Sequence, residues 1–375
     1  LHRHALLTTF DGRFIWAMTS SHLVSDGRSN DILYTTMASA MKSLANGEPL
    51  PPLELPSFEA NMAAEREQEG ARRLLADNAH WETWAEKRQV PFSVFGLTPD
   101  TPTSNRVRVP TAIPKPVVDQ LFERCASPAL LHRSVDVTVA NFLTAFIATW
   151  TWRHGGHPEQ IVGIPFHGRS AGEERLIGFK SEILPIRLDI DPEMTFVDLV
   201  KHVHERAAHS LKSRGTSIAN PVHAPHYHVS ANFMYQQKRS TNPAQALKRI
   251  EMQRRSSAPQ FVSGLQSNSS DEPGVMRFIL GLHPRIIELT DQERVVRGYT
   301  GALQSLAENP FQTLRSISFI DPESAVFFDR QAKVASPVSQ LDPGLTSGRW
   351  LIPWSLRASV NPSTVAIRHG AAGMT

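Results

Sequence analysis

Stretches with the apolar spacing of helices alternate with short apolar runs along the whole chain, and this alternation restricts the fold most. Apolar residues three and four positions apart predict helices, whereas short apolar or alternating runs predict strands. Strands are predicted at residues 14–18, 106–110, 161–166, 183–190, 229–235, 275–282 and 317–320. Helices are predicted from Ser29, over residues 58–88, from Pro116, from Thr138, and after the capping residues Thr195 and Thr290. The sequence therefore predicts an α/β (α+β) protein.

The length and the charge of the chain limit the functions that it can have. Its 375 residues exceed the size at which one hydrophobic core stops growing, so we expect two lobes or domains. The net charge is +3, and Lys and Arg form no basic run, which argues against nucleic acid as the main partner. No apolar run approaches the roughly 20 residues that span a bilayer, so no membrane partner is expected.

A single cysteine, Cys125, excludes an internal disulfide framework and fits a reducing compartment, so a cytoplasmic location is expected. Cys125 is predicted to end a helix. The chain starts at Leu1 without an initiator Met or a signal-peptide pattern and enters strand-like sequence almost at once. We therefore expect a chain that is cut from a longer polypeptide.

One short stretch combines a histidine with a carboxylate and a turn. The predicted strand at residues 14–18 leads into Ser21, His22, Asp26 and Gly27, and Asp-Gly is a turn signal. A strand that delivers a histidine to a turn, with a carboxylate four residues later, can hold an imidazole at the floor of a cleft. The alternative is an ordinary Asp-Gly turn in which His22 has hydrogen-bonding partners but no function. The stretch alone leaves both interpretations open.

Two further patterns are weaker. Residues 163–170 have the spacing of a phosphate-binding loop, but Arg169 replaces the lysine and Pro165 removes a backbone donor. His223, His226 and His228 have a spacing that zinc can use, but Pro225 lies within the cluster, and we favour a solvated segment that leads into a strand. We predict neither a nucleotide site nor a metal site.

The order of several motifs resembles that of condensation domains from nonribosomal peptide synthetases. Residues 21–27 resemble the His-His-x-x-x-Asp-Gly signature of that family, and residues 162–169 are similar to its Gly-x-Pro-x-x-x-Arg strand. Residues 177–187 are similar to the Gly-Phe-x-x-Asn-x-Leu-Pro-Leu-Arg segment, and residues 228–237 to the strand that ends in Phe-x-Tyr-Gln-Asn. All four occur in the family's order and at plausible spacing.

The resemblance implies a two-lobed, chloramphenicol-acetyltransferase-like condensation fold whose first lobe is incomplete. Residues 1–155 would form the remainder of the N-terminal lobe, and residues 156–328 the C-terminal lobe. A linker is expected at residues 329–350. Residues 351–375 resemble the start of an adenylation domain, which is the usual order of an elongation module.

The resemblance also implies a reaction, in which a carrier-bound acyl or peptidyl thioester is joined to the amine of a carrier-bound amino acid. His22 would act as the base or positioning residue. Asp26, Gly27 and Ser21 would support the loop. The family's partner for the aspartate lies largely in a segment that precedes Leu1, so we expect Asp26 to be unpaired.

Four more residues are expected along the substrate tunnel by the same resemblance: Arg169, Glu182, Arg187 and Asn232. No cofactor would be bound by this domain itself. Phosphopantetheine would arrive on upstream and downstream peptidyl carrier domains, and the adjoining adenylation domain would be a further partner. The isolated chain is expected to be inactive.

Departures from the family pattern keep other functions open. Ser21 replaces the leading histidine, and Glu182 replaces an asparagine. The serine form also resembles fungal cyclising terminal domains, but the adenylation-like tail argues against that position. The alternatives are a degenerate, non-catalytic docking module and a coenzyme A-dependent acyltransferase with the same His-x-x-x-Asp pattern.

Overall fold

A computed structural model describes residues 2–75, 107–212, 227, 229–234, 263–269, 275–282, 292–321, 324–326, 367–369 and 372–374. The strands are β1 (His2–Thr8), β2 (Phe14–Ser20), β3 (Val107–Ile113), β4 (Glu159–Phe166), β5 (Glu182–Asp189), β6 (Val229–Met234), β7 (Ser263–Ser269), β8 (Met276–Leu282), β9 (Ile367–His369) and β10 (Ala372–Met374). The helices are α1 (Gly27–Ala45), α2 (Phe58–Leu75), α3 (Lys115–Cys125), α4 (Val135–Gly155), α5 (Phe196–Lys212) and α6 (Gln292–Glu308).

The first two strands form an antiparallel hairpin that delivers the chain to the motif. Their register runs from His2 opposite Ser20 to Thr8 opposite Phe14. Helix α1 follows directly after the turn and is capped by Asp26, whose side chain accepts a hydrogen bond from the N–H of Ser29. The predicted cap at Ser29 is therefore wrong by three residues, because the aspartate can accept the free N–H of the first turn.

A six-stranded mixed sheet, in the order β3-β8-β7-β6-β4-β5, organises the rest of the described chain. Strands β4 and β6 are parallel, as are β6 and β7, whereas the other neighbours are antiparallel. Strand β7 has the sequence SGLQSNS and lies within a polar stretch for which no element is predicted. Its pairing with two neighbours explains why so polar a segment is a strand.

Helix α4 forms the centre of the hydrophobic core and is buried along most of its length. Phe142 packs edge-on against Phe196 of α5 at 4.7 Å between ring centroids, and Phe146 packs against Tyr299 of α6 at 4.4 Å. The same core contains residues of α3 and of the sheet. Core residues of the range 107–155, which the resemblance places in the N-terminal lobe, thus belong to the same hydrophobic cluster as core residues of the range 159–319.

The other predicted elements have mixed outcomes. Strand β8 and the end of α3 at Cys125 agree with the sequence, and α4 is capped by Ser134 rather than beginning at Thr138. Residues 317–320 are not a strand, because a 3₁₀ turn at Leu314–Ser316 leads into a segment that pairs with none of the strands in the described ranges. The end of the predicted helix at 58–88, the linker at 329–350 and the histidines at 223, 226 and 228 lie outside the described residues.

None of the helices in the described ranges has both the length and the apolarity that a bilayer crossing requires.

Candidate active site

The stretch from Ser21 to Gly27 forms a compact turn between β2 and α1. The N–H of Val24 donates to the carbonyl of Ser21 at 3.1 Å, and the N–H of Leu23 lies 3.3 Å from the Ser21 hydroxyl. The hydroxyl of Ser25 donates to that of Ser20 at 2.7 Å. These bonds leave the side chain of His22 exposed at the tip of the turn, where a substrate can reach it.

Asp26 is paired with an arginine, contrary to the expectation that its partner is absent. Arg169 donates from Nη1 to Asp26 Oδ2 at 2.8 Å and from Nη2 to Oδ1 at 3.0 Å. Both side chains are almost fully buried. The partner comes from the loop between β4 and β5, 143 residues further along the chain, so it was not visible as a local pattern.

Four more groups donate to the Asp26 carboxylate, one of which is the hydroxyl of Ser29 at 2.9 Å. The N–H of Ser29 donates at 2.8 Å, the N–H of Lys180 at 3.1 Å and the hydroxyl of Ser181 at 3.2 Å. Burial by itself would raise the pKa of Asp26, but the bonds from Arg169, Ser29 and Lys180 lower this pKa well below its usual range. The carboxylate therefore stays ionised and fixed at neutral pH.

The loop at residues 167–181 is folded around the guanidinium of Arg169. Besides Asp26, the guanidinium donates to the carbonyls of Leu176 (3.0 Å) and Gly178 (3.0 Å). Gly168 has a φ of +63°, and a Cβ there would lie 2.0 Å from the carbonyl oxygen of Lys180. A glycine is thus required where the loop begins its return.

The same loop also reaches His22. The ring of Phe179 meets the imidazole edge-on, with 5.3 Å between the two centroids. Ser29 joins the two segments as well, because its hydroxyl accepts from the N–H of Gly178 at 3.0 Å. The sequence alone predicts no site role for Phe179, and it predicts Ser29 only as the start of a helix. Phe179 belongs to the Gly-Phe pair of the segment at 177–187, which was the one available signal for it.

The four residues expected along a tunnel lie in different surroundings. Arg169 is engaged with Asp26, and Arg187 on β5 pairs with Glu159 on β4. Glu182 is the first residue of β5. Asn232 on β6 lines a cavity between α4 and the ends of β4 and β6, together with Ala140, Leu143, Thr144, Ile164, Pro165, Ala231 and Phe233.

Metal-ligating side chains do not cluster in the parts of the chain that the structure describes, where no three His, Cys, Asp or Glu residues are close enough to hold an ion.

Cys125 is buried, and burial raises the pKa of its thiol to about 12. A thiolate is the form that attacks or ligates, so these surroundings suppress both.

The site thus combines an exposed histidine that follows a strand, a neighbouring carboxylate that is held by an arginine, and a mixed sheet, and the fold is that of solved condensation domains. The family model of the condensation domain matches residues 1–257. The chain belongs to the condensation-domain family.

Relatives from peptide synthetases support this assignment. A linear gramicidin synthase of Brevibacillus parabrevis is 24% identical over 344 residues, which cover 86% of this chain and 4% of that protein. Nonribosomal peptide synthetase kk1B of Curvularia clavata is 29% identical over 215 residues, 54% of this chain and 2% of its own length. The chain therefore spans a very small part of the relatives that it matches.

Solved structures of condensation domains share the fold. The first condensation domain of the calcium-dependent antibiotic synthetase superposes with a TM-score of 0.67 at 22% identity, covering 84% of this chain and 70% of that one. The condensation domain of the Monacolin K polyketide synthase MokA also gives 0.67, at 16% identity, with 84% and 74% covered.

Proposed function

We propose that this chain is the amide-forming condensation domain of a nonribosomal peptide synthetase. It would join a carrier-bound acyl or peptidyl thioester to the amine of a carrier-bound amino acid. The observation that carries the proposal is the turn of Ser21 to Gly27, in which His22 is exposed while Asp26 is locked by Arg169. The condensation-domain match over residues 1–257 supports it.

His22 is proposed to act on the attacking amine. The amine nitrogen forms a bond to the thioester carbonyl carbon, and the thiolate of the donor arm leaves when the carbon–sulfur bond breaks. A neutral imidazole accepts the proton that the nitrogen loses, or orients the amine for attack, and the proton ends on the departing sulfur. Contact with the ring of Phe179 restricts the positions that the imidazole takes.

The neighbours of His22 have supporting roles in this proposal. Asp26 fixes the turn through Arg169 and does not act as a base, because its carboxylate is buried and fully hydrogen-bonded. Ser21 closes the turn by accepting from the N–H of Leu23. Gly27 begins helix α1 directly behind Asp26, where it keeps the backbone free of a side chain.

Among the four tunnel residues, the proposal retains Asn232 and reassigns Arg169. Asn232 lines a mostly apolar cavity beside the last residues of β4, and β4 is followed by the loop that contains Arg169. A substrate group can therefore lie in this cavity. Arg169 serves instead as the anchor of Asp26. Glu182 and Arg187 stay candidates only through the family resemblance.

The partners in this proposal are upstream and downstream peptidyl carrier domains, which deliver both substrates on phosphopantetheine, and an adjoining adenylation domain. The domain itself would use no cofactor. A cytoplasmic location is proposed from the single buried cysteine, which fits a reducing compartment.

The test is a single-turnover reaction of the full-length protein with a donor carrier that holds an acyl thioester and an acceptor carrier that holds an amino acid. Intact-protein mass spectrometry is expected to show the acyl group on the acceptor carrier, linked through its amine. Transfer from acyl-coenzyme A but not from the carrier would contradict the proposal in favour of the coenzyme A-dependent alternative.

Ser21 in place of the leading histidine favours a second candidate, a non-catalytic docking module. In that case both correctly loaded carriers would bind the protein and no amide would form. The same experiment therefore separates the two functions.

A further inference from the structure

Helix α2 contacts the loop at residues 167–181 through one face of its first two turns. Phe58, Asn61 and Glu65 are three and four positions apart, so their side chains point the same way. Phe58 lies directly against Gly178, where an added Cβ would be 2.1 Å from the phenyl ring. Asn61 and Glu65 both contact Lys180.

The ammonium group of Lys180 is buried among polar partners from both segments. Its side chain is 4% exposed, and Nζ donates to Asn61 Oδ1 at 3.0 Å and to Glu173 Oε2 at 3.1 Å. Glu65 accepts its third bond, and the Asn61 amide also donates to Glu173. We call Asn61, Glu65, Glu173 and Lys180 the Lys180 cluster. All three protons of the ammonium group have an acceptor, so the cluster has a defined geometry.

The Lys180 cluster is bonded to Asp26 and to Ser170, the residue that follows Arg169. The N–H of Lys180 donates to Asp26 Oδ2 at 3.1 Å. Glu173 accepts from the N–H and the hydroxyl of Ser170, at 2.8 and 2.9 Å, and Ser170 follows Arg169 directly. Lys180 thus connects α2 to the Asp26 carboxylate through its own backbone N–H. It also connects α2, through Glu173, to the backbone of Ser170 beside Arg169.

We infer that Lys180 is a positioning residue, which transmits the placement of α2 to the Asp26–Arg169 pair and so to the turn that carries His22. The inference rests on the proposed function. Lys180 does not touch the reacting atoms. Its effect is geometric, because a displacement of about 1 Å at a reacting group can cost about 10²-fold in rate.

A purely stabilising role does not account for this arrangement. Buried ion pairs are often no more stabilising than well-packed apolar residues of the same volume, since desolvation of the charges opposes their attraction. Directed hydrogen bonds do fix relative orientation, and here they join α2 to the loop that holds Asp26. The cluster therefore specifies where the loop lies on α2.

The test compares Lys180→Met with Lys180→Arg in the full-length protein by two measurements. Hydrogen exchange is expected to rise in the peptide that covers residues 20–30 of Lys180→Met, while β3 and β8 stay unchanged. The single-turnover rate at saturating carriers is expected to fall about 10- to 100-fold with carrier affinity unchanged. Lys180→Arg is expected to recover most of both, because it keeps the charge.

Lys115→Met is the matched control, since Lys115 forms an exposed pair with Asp119 within α3 and should change neither measurement. Unchanged exchange at residues 20–30 in folded Lys180→Met, or a loss of carrier affinity that accounts for the slower rate, overturns the inference. If Lys180→Met does not fold, Glu65→Gln takes its place, because it removes the charge of one of the two α2 acceptors of Lys180 and leaves the lysine itself intact, and the same criteria apply. If the unsubstituted protein forms no amide, the proposed function fails, and the exchange measurement still decides the role of Lys180.

Discussion

Arg169 holds the Asp26 carboxylate through two parallel hydrogen bonds of 2.8 and 3.0 Å, although 143 residues separate the two along the chain. This pair joins the turn after β2 to the loop between β4 and β5. Since the same loop places Phe179 against His22, the position of the imidazole depends on the pair. The Asp26–Arg169 bond is therefore the structural support of the candidate active site.

Asp26→Asn is expected to destabilise the protein strongly. The substitution removes the charge that balances a buried guanidinium, and breaking a buried pair in this way costs about 3–5 kcal/mol in the free energy of unfolding. Urea denaturation of the variant measures the loss. Asp11→Asn is the control, because Asp11 pairs with Arg13 on the exposed hairpin turn and should show no measurable change. Equal effects of the two substitutions would contradict the role of the pair.

The protein is expected to lose stability in acid through Asp26 and Glu173. Burial alone would raise the pKa of Glu173, but bonds from Ser170, Asn61 and Lys180 lower it to about 2 from an ordinary 4.5. The pKa of Asp26 is also lowered by its partners. A carboxyl group whose pKa is lower in the folded state than in the unfolded state stabilises the fold at every pH above its unfolded-state pKa. This stabilisation is lost as the pH falls towards the pKa of the folded state. The free energy of unfolding should thus decrease from about pH 4.5 downwards, measured by urea titrations at each pH.

In the double variant Asp26→Asn with Glu173→Gln, the free energy of unfolding should depend less on pH in this acid range, because neither replacement titrates. The same slope of the free energy of unfolding against pH in the double variant would show that other carboxylates cause the loss.

Gly168→Ala and Gly172→Ala separate a steric clash from backbone strain. Both glycines have positive φ, +63° and +89°, so alanine is strained by about 1–2 kcal/mol at either position. At Gly168 the new Cβ would also lie 2.0 Å from the Lys180 carbonyl, whereas nothing lies within 4 Å at Gly172. Thermal unfolding should therefore show the larger loss for Gly168→Ala. Equal losses would mean that the loop moves aside without cost.

Cys125 is expected to resist alkylation in the folded protein and to react on unfolding. It is buried at the end of α3, and burial raises the pKa of its thiol to about 12, so little thiolate forms at neutral pH. Iodoacetamide labelling followed by mass spectrometry measures this, and the signal is unambiguous because the chain has one cysteine. Rapid labelling without denaturant would contradict the observed burial.

The sequence predicted the local elements well where apolar residues have a clear period. Helix α4 and strand β4 are examples, because both are packed into the core along most of their length. Strand β7 was missed, because its residues are mostly polar and its conformation depends on pairing with β6 and β8. The reverse error occurred at residues 317–320, where apolar side chains enter the core without a strand partner.

The order of motifs predicts His22 and Asp26 as site residues, and this assignment stays a prediction. The contacts that support the turn could not be predicted from the sequence. The Arg169 bond was not predicted, because a contact over 143 residues has no periodic or local signature. The contacts of Lys180 could not be predicted either, since they come from the packing of α2 against a loop more than 100 residues away.

The most direct test of the account is the single-turnover rate of amide formation by the His22→Ala variant in the full-length protein. Loss of a general base or of the positioned amine should lower this rate by about 10²- to 10⁴-fold with carrier loading intact. His209→Ala, which removes an exposed histidine on α5, should leave it unchanged, and Ser21→His should be tolerated. An undiminished rate in His22→Ala would contradict the assignment of the turn as the reaction centre.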